Sequence, residues 1–117
     1  MRDITTVEQA EELVNGSSTQ PVLLFKHSTR CRISAFAADQ LAAVREEYAD
    51  LPLTFARVLV VENRPISQWF AERLGVEHAS PQIMLLSGGR VLWQATHFDI
   101  TTSAIKRALD AVVTKET

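Results

Sequence analysis

The order of apolar and helix-patterned segments in this chain predicts an α/β fold with a mixed central sheet. One apolar run, residues 22–26, has no polar alternation, which is typical of a strand covered on both faces, and a second apolar run spans residues 55–61. Each run is followed by a segment whose apolar residues recur at helical spacing. A third apolar run then leads through paired glycines into a fourth, as in a β-hairpin. We therefore expect about four strands, flanked by helices on both faces.

The length and composition of the chain favour one domain and exclude several classes of protein. Its 117 residues are enough for a single hydrophobic core, so we predict one domain over residues 1–117. A net charge of −2 gives no general attraction to nucleic acid or to anionic membranes. The sequence has no apolar stretch of transmembrane length and no signal-peptide core at its N-terminus, so we expect a cytoplasmic protein.

An additional helix is predicted at the N-terminus, before the first apolar run. Thr5 and Thr6 stand three residues before Glu8 and Gln9, which is the spacing of a capping box. The apolar residues that follow at helical spacing are Val7, Ala10, Leu13 and Val14. Gly16 suits the C-terminal cap of this helix.

The middle of the chain alternates between helix and strand. A helix-patterned run from Ala35 to Tyr48 follows the first apolar run. Residues 55–61 are apolar and β-branched, which favours a strand. Pro65 is then well placed in the first turn of a second helix, and Gly75 ends it.

The C-terminal third predicts a hairpin followed by a closing helix. Residues 82–86 and 91–95 are the two strands, and residues 87–90 form the tight turn between them. The last helix is capped near residues 101–102, and residues 115–117 are expected to fray. A helix followed by β-α-β-α-β-β-α is the thioredoxin-like order. A right-handed crossover then places the loop after the first strand at the carboxyl edge, where ligands bind in open α/β sheets.

The only cysteine of the chain, Cys31, lies at this turn from strand to helix. Unpaired N–H groups and the positive end of the helix dipole favour an anion there, including a thiolate. A lone cysteine is more often a small buried residue. Arg30 and Arg32, however, give Cys31 cationic neighbours that do not suit a core position. We therefore predict a reactive thiol, and a single cysteine excludes a dithiol mechanism within this chain.

Two further positions are candidates for the same site. Ser34 occupies the place of the second cysteine in a CxxC motif, so its hydroxyl could hydrogen-bond the thiolate of Cys31. The alternative for Ser34 is a first-turn serine that satisfies backbone N–H groups. Pro81, preceded by Ser80, stands where thioredoxin-like folds have a cis-proline facing the thiol. The alternative for Pro81 is an ordinary trans loop proline.

Charged and titratable residues near the cysteine offer further roles. Lys26, Arg30 and Arg32 could hold the carboxylates of an anionic low-molecular-weight thiol. Without such a ligand they would be solvated charges that tune the thiol. His27 and His97 could tune the thiol or transfer a proton, although histidines with only packing or surface roles are common. Because no cysteine and histidine cluster has metal-ligand spacing, we expect no metal and no other tightly bound cofactor.

Residues 25–34 read F-K-H-S-T-R-C-R-I-S, which resembles the F-K-H-S-x-x-C-P-I-S stretch of the YtxJ-like monothiol bacilliredoxins. These are thioredoxin-like proteins of the bacillithiol system. The resemblance extends, in order, to residues 60–67, 74–82 and 93–101. Arg32 stands where the family usually has proline, and it adds charge where proline would make the first helical turn more rigid.

The resemblance implies a cytoplasmic thiol-disulfide oxidoreductase that removes bacillithiol from protein mixed disulfides. The Cys31 thiolate would attack the mixed disulfide and carry bacillithiol away. A second bacillithiol, or a partner reductase, would then regenerate Cys31. Bacillithiol, or a similar low-molecular-weight thiol, would thus be a co-substrate, and S-thiolated client proteins would be partners. Neither nucleic acid nor a membrane is an expected partner.

Two other functions stay open at this point. The chain could be a redox-inactive adaptor that binds extended peptides near Ser80 and Pro81, because a fold does not decide a function. It could also be a stress sensor in which Cys31 is oxidised and capped by a small thiol. Replacement of Cys31 by serine separates exchange from binding, since it removes the nucleophile and leaves the peptide-binding surface.

Overall fold

The computed structural model describes residues 1–113, which form five strands, four α-helices and a 3₁₀ turn at His97–Asp99. The elements are, in chain order, β1 (Arg2–Asp3), α1 (Val7–Gly16), β2 (Val22–His27), α2 (Arg32–Glu47), β3 (Thr54–Leu59), α3 (Arg64–Leu74), β4 (Gln82–Ser87), β5 (Arg90–Thr96) and α4 (Thr102–Asp110). The predicted fraying of residues 115–117 lies outside the described residues. None of the helices within residues 1–113 has the length and apolar character to cross a bilayer.

The sheet is mixed, as predicted, and its strand order is β1-β3-β2-β4-β5. The strands β1, β3 and β2 run parallel, whereas β4 is antiparallel to β2 and β5 is antiparallel to β4. Helices connect the parallel strands and a hairpin connects β4 to β5, as these two kinds of pairing require. Since β2 is the central strand, the loop that follows it leaves from the middle of the carboxyl edge.

The prediction of about four strands misses β1, a two-residue strand whose side chains are both exposed. Such a strand has neither an apolar run nor an alternating pattern by which a sequence could reveal it. It is held by contacts to β3, because the Asp3 carboxylate accepts hydrogen bonds from Arg57 Nε at 2.7 Å and from Nη2 at 3.1 Å. The next residue, Ile4, donates its backbone N–H to the carbonyl of Arg57 at 2.8 Å.

Helices cover both faces of the sheet, which confirms that part of the prediction. On one face α1 and α3 pack against Val22 and Leu24 of β2. On the other face α2 and α4 pack against Leu23 and Phe25. Successive side chains of a strand point to opposite faces, so neighbouring residues of β2 belong to different cores. By the same alternation, the two polar residues at the end of β2, Lys26 and His27, point to opposite faces of the sheet and contact different groups.

The ends of α1 confirm one prediction and contradict another. Thr6 is the N-cap and forms the capping box with Gln9, whose N–H donates to Thr6 Oγ1 at 3.1 Å. Gly16, however, is the last helical residue and not the cap. Ser17 takes the cap position with a right-handed backbone, φ −67° and ψ −12°.

The predicted hairpin and the predicted end of α3 are both confirmed. Gly88 and Gly89 have φ of 62° and 77°, which the tight turn between β4 and β5 requires. The N–H group of Gly88 donates to the carbonyl of Ser17 at 2.9 Å, and that of Gly89 donates to the Ser17 hydroxyl oxygen at 2.8 Å. The hairpin turn therefore binds the residue that caps the C-terminus of α1. Gly75 ends α3 in the left-handed conformation, with φ 68°.

Two predicted boundaries near the carboxyl edge are wrong. The helix α2 begins at Arg32, three residues before the predicted start, because the polar first turn carries no helical periodicity. The strand β3 ends at Leu59, although Val60 and Val61 are β-branched. Val60 N–H donates to the carbonyl of His27 at 2.9 Å, and the chain then turns towards α3. The turn overrides the strand propensity of the two valines.

Candidate active site

Cys31 is the N-cap residue of α2, with an extended backbone at φ −116° and ψ 126°. Its carbonyl accepts the first helical hydrogen bond, from Ala35 N at 3.0 Å, and its own N–H donates to Ser28 O at 3.3 Å. Cys31 is a partly exposed residue and a free cysteine. A thiolate here lies at the positive end of a 16-residue helix, where unpaired N–H groups favour an anion. The earlier start of α2 therefore brings the helix terminus directly to the thiol.

Arg30 and Arg32 flank Cys31 and are both exposed. Among residues 1–113 neither forms an ion pair, so both guanidinium groups are free to meet an anion. The backbone N–H of Arg30 lies 3.4 Å from the Ser28 hydroxyl oxygen, which ties it to the same turn. These two arginines keep the cationic setting that the sequence predicts around the thiol.

Ser34 is buried, and its hydroxyl oxygen is shared by two groups of the thiol loop. It accepts the N–H of Ser28 at 2.9 Å and lies 2.7 Å from Nδ1 of His27. Burial lowers the pKa of His27, and Arg57 lowers it further against the opposing effect of Glu62. The neutral ring and the serine hydroxyl share one hydrogen bond at Nδ1. This hydroxyl therefore braces the backbone of the loop, as in the second alternative above, and its hydrogen bond to the thiolate stays a prediction.

Lys26 is fully buried and faces away from the His27 side of the sheet, so it is not a solvated charge as the sequence suggests. Its ammonium group donates to the carbonyl of Ser67 at 3.0 Å and lies 3.1 Å from Nδ1 of His78. Burial lowers the pKa of Lys26 to about 8. Its neighbours are thus α3 and the segment before β4, and no contact joins it to Cys31 in the described structure.

The Ser80–Pro81 peptide bond is cis, as the thioredoxin-like order predicts. Gln82, the next residue, pairs with Lys26 across β4 and β2. The loop that carries Pro81 and the loop that carries the thiol therefore leave the sheet side by side. Ser80 Oγ is buried and has no hydrogen-bond partner among residues 1–113.

His97 follows β5 and joins this edge through its backbone. Its N–H donates to the carbonyl of Pro81 at 3.1 Å, and its φ of 54° is left-handed. The ring of His97 is exposed, and no hydrogen bond from it is seen in the described part of the chain. The next residue, Phe98, is 65% exposed and packs edge-on against Phe36 of α2, with ring centroids 5.9 Å apart.

Comparison with known proteins decides the family. Residues 2–105 match the family described as monothiol bacilliredoxin BrxC. The chain belongs to the monothiol bacilliredoxin family. Family and fold together support a thiol oxidoreductase.

Solved structures show the fold of this bacilliredoxin family member independently. A proposed oxidoreductase with a thioredoxin fold superposes with a TM-score of 0.82 at 28% identity, covering 92% of this chain and 91% of that one. Fasciola hepatica thioredoxin gives a TM-score of 0.76 at 16% identity, over 95% of this chain and 98% of that one. Mitochondrial thioredoxin 3 from Saccharomyces cerevisiae gives 0.75 at 13% identity, over 96% and 95%. The predicted thioredoxin-like fold is confirmed.

The polar residues that surround Lys26 are not among the candidates predicted from the sequence. They are Ser67, which comes from α3, and His78, which comes from the loop before β4. One signal was present, because a lysine inside an apolar strand must find polar partners when it is buried. The identity of those partners depends on how α3 packs over β2, which the sequence does not state.

Proposed function

We propose that this protein is a monothiol thiol-disulfide oxidoreductase that removes bacillithiol, or a similar low-molecular-weight thiol, from protein mixed disulfides. The observation that carries the proposal is the position of Cys31. It is a partly exposed cysteine at the N-terminus of α2, in a chain of this family that has no second cysteine. A single thiol suffices when the small thiol, and not the protein, supplies the second sulfur.

The exchange would proceed in two balanced steps. The Cys31 thiolate attacks the sulfur of the small thiol within the mixed disulfide, and the client cysteine leaves as a thiolate that takes a proton from water. A disulfide between Cys31 and the small thiol remains. A second molecule of the small thiol then attacks as its thiolate and leaves as the symmetric disulfide, which restores the Cys31 thiolate. A partner reductase could supply the same two electrons.

The described residues around the thiol have roles that fit this chemistry. The N-terminus of α2 stabilises the anionic sulfur before attack and when it leaves. Arg30 and Arg32 lie where they can attract an anionic substrate. The buried hydrogen bonds of Ser34 hold the loop that presents the thiol.

Replacement of the nucleophile tests the proposal. A client protein carrying bacillithiol on one cysteine is incubated with wild-type protein or with Cys31→Ser, and release of bacillithiol is followed by mass spectrometry. We expect catalysed release by the wild type and only the uncatalysed rate with Cys31→Ser. Unchanged circular dichroism and an unchanged unfolding midpoint serve as the control for folding. The same client carrying glutathione shows which small thiol is preferred.

Two other outcomes would overturn the proposal. Client binding by both proteins, with no release by the wild type, would make the chain an adaptor. Reversible capping of Cys31 by bacillithiol, with no release from any client, would make it a sensor.

A further inference from the structure

A small cavity lies on the α3 face of the sheet, beside the turn that follows β3. Its volume is about 200 Å³, and its lining residues are Val60, Val61, Arg64, Ser67, Gln68 and His78. We propose that this cavity is the subsite for a carboxylate of the small thiol co-substrate. The inference rests on the proposed function, which it deepens by naming how the small thiol is recognised.

A buried cation lies behind this cavity without an anion to balance it. Lys26 is fully buried, and no carboxylate pairs with it in the described part of the chain. Its ammonium group reaches only a carbonyl oxygen and a histidine ring, both of them neutral acceptors. Buried charges are normally paired, since burial of an isolated charge costs several kcal/mol. An anion in the adjoining cavity would supply the missing charge.

His78 connects the buried cation to the cavity. Because Lys26 donates to Nδ1 of His78, the ring proton resides on the other nitrogen, Nε2. Burial, Lys26 and Arg64 each lower the pKa of His78, in that order of size, which keeps the ring neutral at neutral pH. The ring is exposed and lines the cavity, so its polarised N–H is a donor for an entering anion.

Arg64 supplies the second donor and the stronger one. It is the first residue of α3, is exposed, lines the cavity and forms no ion pair within residues 1–113. A guanidinium group can bind both oxygens of a carboxylate, and it lies here at the positive end of the helix dipole. An arginine and a polarised histidine N–H thus line one small cavity, and the buried ammonium group of Lys26 lies behind two of its lining residues, Ser67 and His78.

The position and the surroundings of the cavity favour the small thiol as the source of the carboxylate. The turn at Val60 is bonded to His27, so the cavity opens at the same edge as the thiol loop. A larger cavity of about 430 Å³ on the other side of His78 includes the acidic residues Glu77 and Asp99. The described lining of the smaller cavity contains no carboxylate, although Glu62 lies in the adjoining turn, and this difference in lining favours an anionic group on the Arg64 side.

A double comparison tests the subsite. One client peptide is prepared as its mixed disulfide with bacillithiol and with bacillithiol whose carboxylates are methyl-esterified. We expect Arg64→Gln to lower kcat/KM for the free-acid form about tenfold, mainly through KM, and to leave the esterified form within about twofold. The matched control is Arg73→Gln, an exposed arginine in the last turn of the same helix, which should change neither substrate.

A second measurement does not depend on turnover. Succinate is titrated into reduced wild-type protein while the ring signals of His78 are followed by NMR. We expect a saturable shift that Arg64→Gln weakens and Arg73→Gln does not.

The outcomes separate the two proposals. Exchange that Arg64→Gln slows equally for both substrates, or not at all, would overturn the subsite and leave the oxidoreductase intact. Equal slowing would also assign the anion to the client peptide, which is the same in both substrates. Failure of the wild type to release bacillithiol from any client would overturn the proposed function, and the subsite with it.

Discussion

The side chains of the last two residues of β2 lie in different surroundings on opposite faces of the sheet, although the residues are neighbours in the chain. His27 points to the α2 face, where its Nδ1 and the N–H of Ser28 both contact the hydroxyl of Ser34 and no charge is left unbalanced. Lys26 points to the α3 face, where Ser67 and His78 bind its ammonium group but provide no negative charge. The first network is closed and holds a loop in place. The second network keeps an unbalanced charge close to a cavity, which is why we propose that this cavity binds an anion.

The contrast follows from strand geometry. Because side chains alternate across a strand, Lys26 faces the side of the sheet covered by α1 and α3, and His27 faces the side covered by α2 and α4. The two networks also differ in how they are assembled. Ser34 belongs to the first turn of the helix that follows β2, whereas Ser67 and His78 lie 41 and 52 residues from Lys26. The thiol loop is thus supported locally, and the cationic cavity depends on the whole fold.

The largest effect is expected from Lys26→Met, which replaces the buried cation by an apolar chain of similar length. Burial lowers the pKa of Lys26 from 10.5 to about 8, so between these values the unfolded chain binds more protons than the folded protein. The free energy of unfolding of the wild type should therefore rise over this range, relative to the variant, by about 3 kcal/mol. Below pH 8 the full cost of burying the charge remains, and Lys26→Met should be at least as stable as the wild type.

Urea unfolding of the two proteins at pH 7, 8, 9 and 10 measures this difference. Between pH 8 and 10, above the range in which the histidines titrate, changes that come from other residues cancel when the variant is subtracted from the wild type. A difference that stays constant from pH 8 to 10 would show that the ammonium group of Lys26 is as well stabilised as in water. The claim that the Lys26 network, unlike the His27 network, carries an unbalanced buried charge would then be wrong.

A smaller loss is expected from Ser34→Ala on the closed side. This change leaves the buried N–H of Ser28 and the ring nitrogen of His27 without their partner, at a cost of about 2 kcal/mol in the free energy of unfolding. Exchange should slow as well, because the loop that carries the thiol loses its support. Ser18→Ala, at an exposed position, is the matched control and should cost less than about 0.5 kcal/mol. Equal stability of the two variants would show that the Ser34 network does not hold the loop.

The smallest effect concerns the two histidines. Burial lowers the pKa of both His27 and His78 below 6.5, but only for His78 does Lys26 contribute. NMR titration of Lys26→Met should therefore show a raised midpoint for His78 and an unchanged midpoint for His27. In the wild type both shifts make the folded protein less stable as the pH falls from 6.5, since the unfolded chain binds more protons there. Equal movement of the two midpoints would contradict the separation of the networks.

Local patterns in the sequence determined most of the architecture. The apolar runs, the capping box at Thr6, the paired glycines of the hairpin and the order of elements all act between residues close in the chain, so they are visible without a structure. The place of Cys31 at the start of a helix follows from the same patterns. The matched family and the thioredoxin fold confirm this level of the prediction.

Tertiary structure alone decided which polar groups meet. The strand β1 exists because Asp3 and Ile4 bind Arg57, more than fifty residues away in sequence. The surroundings of Lys26 depend on how α3 and the loop before β4 pack over β2. Such contacts join segments that the chain brings together only on folding, and their strength depends on burial, which no local pattern specifies. The sequence by itself determined where the thiol and its two flanking arginines are, and the fold decided which groups surround Lys26.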